Sequence, residues 1–62
     1  MNDLRNLRIK NNYTCKDMAD KLNISKPFYW QLENNKRRLS YEMAVKISIV
    51  FNTTPDKIFY RE

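Results

Sequence analysis

Sixty-two residues with a single cysteine, no histidine and no glycine predict one domain, near the lower size at which packing alone carries a core. Cys15 has no second thiol to pair with, so an intramolecular disulfide and a Cys/His metal site are excluded, and no apolar run approaches the roughly 20 residues of a membrane span. The net charge of +5 falls within the first 38 residues, of which 1–25 carry +2 and 26–38 carry +3 through Lys26, Lys36, Arg37 and Arg38 against Glu33; this split points to a polyanion footprint more than to general solubilising charge.

In chain order, Leu4 and Leu7 stand three apart and, with Ile9 or Lys10 completing the turns, predict a first helix from about Asp3 to Asn11. Thr14 with Asp17 three residues on has the form of a capping box, and the stripe Met18, Ala19 and Leu22 predicts a second helix from Cys15 to about Leu22. Asn23 breaks it and Ile24 links it to a third helix, capped by Ser25, with Pro27 in its first turn and its end near Asn34. Two short helices across so tight a turn have helix-turn-helix geometry.

Residues 35–39 then form a basic loop. Ser40 caps a fourth helix in which Met43, Ala44, Ile47, Val50 and Phe51 make the most continuous apolar stripe of the chain, so this helix is expected to be the most buried. Thr54, Pro55 and Asp56 supply an N-cap, a first-turn proline and an acidic residue for a last helix carrying Ile58, Phe59 and Tyr60. The expected fold class is all-α: five short helices and no strand. Helix C-termini need a residue that tolerates positive φ, and without glycine that residue is asparagine. Asn12, Asn23, Asn35 and Asn52 each stand where one of these helices stops, which supports the boundaries independently of the apolar pattern.

Within the third helix Phe28, Tyr29 and Leu32 form an apolar flank, while Lys26, Pro27, Trp30 and Gln31 fall on the other side. A cation, a compact apolar ring, an indole and a carboxamide suit reading base edges and phosphates; the alternative is a solvated helix face. No catalytic constellation is available, because histidine and a glycine-rich phosphate loop are missing and Cys15 has no base partner. Cys15 near a helix N-terminus is either a redox-sensitive thiol or an incidental substitution.

The ordered set Leu7-Arg8, Tyr13-Thr14, the run from Met18 to Ser25, Leu32 to Arg37, Ala44 to Ile47 and Pro55 to Phe59 resembles the Cro/repressor type of helix-turn-helix domain, the XRE-like family of phage and bacterial regulators with a lambda-repressor-like fold. The resemblance covers nearly the whole chain and implies a cytoplasmic, nucleoid-associated protein that needs neither a cofactor nor a small-molecule ligand. It implies that Lys26, Pro27 and Gln31, with Trp30 beside them, read bases. It places Thr14, the Cys15 backbone, Lys16, Asn34, Lys36, Arg37 and Arg38 at or beside phosphate-gripping positions, with a solvated charge the alternative for Lys16 and Arg38. Arg8 and Glu33 match a partly buried ion pair tying the first helix to the end of the third; otherwise Arg8 is a phosphate contact. Family members often pair through the region that holds Ile58, Phe59 and Tyr60, with Phe59 either in the core or in the contact.

Three departures from the family pattern stand out. Cys15 replaces a common glutamine and lacks its amide donors, although the backbone N–H remains. Leu39 stands where proline is frequent. Tyr29 stands where Ile or Val normally plugs the core, which implies local repacking and a hydroxyl that reaches the surface. The resemblance thus implies a sequence-specific double-stranded DNA-binding regulator, a weak homodimer on a palindromic operator. The competing class is a protein-interaction module on the same fold, an antitoxin or anti-repressor gripping its partner with exposed aromatics.

Overall fold

The computed structural model describes residues 3–60. They form α1 (Asp3–Lys10), α2 (Cys15–Leu22), α3 (Lys26–Glu33), α4 (Tyr41–Val50) and α5 (Pro55–Phe59), with no strand among the described residues. The fold class is the one expected from the sequence, and the boundaries follow from cap chemistry. Thr14 Oγ1 accepts from the Asp17 N–H at 3.0 Å while Asp17 Oδ2 accepts from the Thr14 N–H at 2.8 Å, a complete capping box. Ser25 and Ser40 accept from the N–H groups of Phe28 and Met43 in the same way. Thr54 departs from this pattern: its backbone is extended but its side chain makes no cap bond, and α5 starts on Pro55, which has no N–H to satisfy.

At the other ends of the helices a single device recurs four times. Asn12, Asn23, Asn35 and Asn52 have φ of 61°, 57°, 58° and 55°, and they are the positive-φ residues among those described. Each donates its N–H back to a carbonyl three residues earlier, and the next residue donates to the carbonyl five before it: Tyr13 to Arg8, Ile24 to Ala19, Lys36 to Gln31 and Thr53 to Ser48, at 2.8 to 3.0 Å. These are Schellman closures, and asparagine replaces glycine in all of them. Asn23→Ala should therefore cost about 1 to 2 kcal/mol, the left-handed penalty of a Cβ without a local polar partner, whereas Asn23→Gly should be neutral or stabilising. Urea titration of the two variants checks this; equal losses would show that the asparagine side chain, not its φ, matters.

The core gathers Leu4, Met18, Ala19, Leu22, Tyr29, Ile47 and Ile58, with Leu7, Tyr13, Ile24, Leu39, Met43, Val50, Phe51 and Phe59 packed around it. α2 packs most extensively on α3, α4 packs on α5 and α2, and α5 returns to α1. Two expectations are corrected. α4 buries Ala44, Ile47 and Ser48 but leaves Tyr41 and Ile49 two-thirds exposed, so it is no more buried than α2 or α3. The Tyr29 hydroxyl does not reach the surface: the whole side chain is enclosed, and its O–H ends on a buried carboxylate.

Candidate nucleic-acid interface

α3 is a two-sided helix of eight residues, and its inner side fixes what its outer side presents. Tyr29, Leu32 and Glu33 point inward and are buried. Helical period places Pro27, Trp30 and Gln31 on the opposite side, where the first two are exposed and Gln31 is half-buried, and Lys26 is exposed at the first residue of the helix. Lys26 and Pro27 occupy the first turn, beyond the Ser25 cap, so the cation and the pyrrolidine ring stand at the leading end of the helix.

Glu33 is the hinge of this arrangement. Its carboxylate is 2% exposed and accepts from Arg8 Nε at 2.7 Å and Arg8 Nη2 at 3.0 Å, a two-pronged contact, and from the Tyr29 hydroxyl at 2.8 Å and Arg5 Nε at 3.2 Å. Arg8 also donates to the Tyr13 carbonyl at 3.0 Å, so one guanidinium joins α1, the α1–α2 turn and α3. Burial pulls the Glu33 carboxyl upward, but the hydrogen bonds from Arg8, Tyr29 and Arg5 outweigh it and hold the group below its ordinary range. The same contact holds the Arg8 guanidinium above its ordinary value, and burial followed by the bond to Glu33 pushes the Tyr29 hydroxyl well up. At neutral pH the cluster is a carboxylate with cationic and neutral donors, and no buried side-chain polar atom among the described residues lacks a partner.

The residues expected at phosphates divide by what already holds them. Thr14 and Cys15 meet at the start of α2, where the Cys15 thiol is partly buried against the core and its first-turn N–H has no intrahelical acceptor. Lys16 lies 3.0 Å from Asp20 on the solvent face, a bond that holds the ammonium above its ordinary value. Asn34 is spent locally: its Oδ1 accepts from Arg5 at 2.8 Å and its Nδ2 donates to the Trp30 carbonyl at 2.9 Å. Lys36 and Arg38 are exposed. Arg37 is tied back to α3, with Nε donating to Gln31 Oε1 at 3.0 Å and its guanidinium 4.4 Å from the centre of the Phe28 ring. Phe28 is thus a shelf for a cation and not simply part of an apolar flank.

Two partners of Glu33 were absent from the expectation although spacing contains them: Arg5 lies three residues before Arg8, and Tyr29 four before Glu33, both same-face helical neighbours. At the C-terminal end Ile58 is buried in the monomer's own core and Phe59 packs against it. Of the three residues expected in the pairing surface, Ile58 is thus placed in the core and Phe59, read as core or contact, is partly buried beside it. Tyr60 remains half-exposed, its ring centre 6.4 Å from that of the exposed Tyr41.

These elements define a helix-turn-helix domain with its second helix held outward by a buried ionic cluster. A family model described as Helix-turn-helix matches residues 4–58, and the chain belongs to that family, the Cro/XRE-like helix-turn-helix domains of DNA-binding regulators. No curated protein matches the chain. Among the described residues no helix is long and apolar enough to cross a membrane.

Proposed function

We propose that this chain is a sequence-specific double-stranded DNA-binding transcriptional regulator, a small repressor or Cro-like switch, that lays the outer face of α3 in the major groove. The observation that carries the reading is the pairing of a fixed inner face with an open outer one. Glu33, Tyr29 and Leu32 anchor α3, while Lys26, Pro27, Trp30 and Gln31 stay available to base edges. The α2 N-terminus, Lys36 and Arg38 flank that face with backbone donors and cations suited to phosphates. A single unit of this size reads only a few base pairs, so two copies on a two-fold operator complete the reading.

Selection of random duplexes by the purified protein, followed by sequencing, tests this directly, since it returns half-site, spacing and symmetry together. Two substitutions then separate grip from reading. Lys36→Ala should weaken specific and unrelated duplexes by similar factors and lower the salt slope by about one. Gln31→Ala should cost about 1 to 3 kcal/mol on the selected site and leave unrelated duplexes nearly untouched. A stoichiometric complex with another protein, together with little DNA affinity, would replace the reading.

A further inference from the structure

We propose that Arg37 is a positioning residue for base reading: seated on the Phe28 ring, it fixes the orientation of the Gln31 carboxamide and so sets which base edge Gln31 accepts. The inference rests on the DNA-reading function above and deepens it. It starts from a turn. Asn35 adopts the left-handed conformation and Lys36 donates its N–H to the Gln31 carbonyl at 2.8 Å, which folds the loop back along α3. The next side chain, Arg37, therefore lies over the helix it has just left. Phe28 and Gln31 stand three apart on α3, neighbours on one helical face, and Arg37 meets both: its guanidinium carbon is 4.4 Å from the Phe28 ring centre and its Nε is 3.0 Å from Gln31 Oε1.

A free glutamine side chain presents its carboxamide in either orientation, with acceptor and donor exchanged by a flip. Arginine only donates, so the atom facing Arg37 has to be the oxygen, and the NH₂ lies at the other end. One lone pair of Oε1 stays open beside an unengaged NH₂. That ordered acceptor and donor pair is complementary to the N6 amino group and N7 of adenine, and a flip would reverse its order along the groove. Holding the amide before DNA arrives also removes rotamer freedom that binding would otherwise have to freeze. A phosphate grip at position 37 asks only for positive charge; this role asks for a planar fork that stacks on an aromatic face and donates in a fixed direction, which lysine does not supply.

Arg37→Lys separates the two roles, and it is made at an exposed loop position. In the free protein, nuclear magnetic resonance should show a resolved Arg37 Nε–H with contacts to the Phe28 ring and the Gln31 amide, and Arg37→Lys should shift the Gln31 side-chain amide signals while leaving those of Asn34 in place. In duplex selection, Arg37→Lys should reduce preference roughly three- to tenfold at the base pair that Gln31→Ala also relaxes, with the salt slope and the affinity for unrelated duplexes unchanged. Combined with Gln31→Ala it should add nothing further at that base pair. Averaged Arg37 signals without contact to Gln31, undiminished preference, or an equal loss on specific and unrelated duplexes would each overturn the positioning role alone. Absence of any duplex preference in the unaltered protein would overturn the DNA-reading function, and this inference with it.

Discussion

Glu33→Ala should cost about 3 to 5 kcal/mol and leave the domain close to unfolded, since a chain of this length holds only about 3 to 9 kcal/mol in total. The loss does not measure how favourable the ionic cluster is. Removing the carboxylate strands the Arg8 guanidinium, whose side chain is 14% exposed, and the enclosed Tyr29 hydroxyl, and neither finds water to replace the missing acceptor. Tyr29→Phe should cost less, about 1 to 2 kcal/mol, because the carboxylate keeps its arginine donors. Urea unfolding of the two variants checks the ranking, and a Glu33→Ala loss under about 1 kcal/mol would mean that Arg8 simply turns out to solvent.

The same carboxylate makes stability depend on pH, and the sign follows from its lowered value. In the unfolded chain a glutamate takes up its proton near pH 4.3, whereas in the fold it does so only at lower pH. The stabilisation is therefore complete well above pH 4.3 and is lost as the pH falls through the folded value. Asp17, also held low, first by the Thr14 backbone N–H, acts in the same direction. Melting temperatures followed from pH 6 to pH 3 should fall, and Glu33→Gln, although less stable at pH 6, should show a shallower fall.

How much of this was legible in the sequence depends on whether the partner of each residue is local. The helix boundaries were, because a cap and its N–H acceptor lie within three residues and a Schellman closure within five: Thr14, Ser25, Ser40 and the four asparagines could be read from neighbours alone. The buried side of α3 was legible for the same reason in Tyr29 and Leu32, whereas Phe28, expected beside them, also borders Gln31 three residues on. The destination of the Tyr29 hydroxyl was not. An Ile-sized plug can fill the core in many ways, but a tyrosine there has to end on an acceptor, and that acceptor becomes interior only when α1 brings Arg8 and Arg5 to it. Arg37 was read as a loop cation because nothing in the local sequence says that the loop doubles back over Phe28. On α4 the stripe Met43, Ala44, Ile47, Val50 and Phe51 overstated burial: Ala44 and Ile47 are buried, the other three only partly, and Tyr41 and Ile49 outside the stripe face solvent, because a helix in so small a domain has only one side to bury.

Those exposed side chains carry the second large prediction. A duplex with two half-sites about one helical turn apart should bind this protein roughly 10²- to 10⁴-fold more tightly than a duplex with one, with the second copy binding cooperatively. The surface proposed for the contact is the stacked pair Tyr41 and Tyr60 with Ile49 further along α4, which are 66%, 49% and 68% exposed. Such a contact would be too small to hold a dimer at low concentration, so DNA would do much of the work: with one copy on its half-site, the second would arrive at a high effective concentration and a weak contact would suffice. A two-fold contact at this end of the domain would place two α3 helices on successive major-groove faces, which is why spacing should matter as much as half-site sequence. Tyr41→Ser combined with Tyr60→Ser should remove most of the gain on the double site and leave single-half-site binding and the melting temperature nearly unchanged, because neither ring belongs to the core. Sedimentation and binding isotherms on both duplexes read these outcomes. One protein per palindromic duplex, without a cooperative second step, would show that the copies act alone and that the exposed tyrosines serve some other contact.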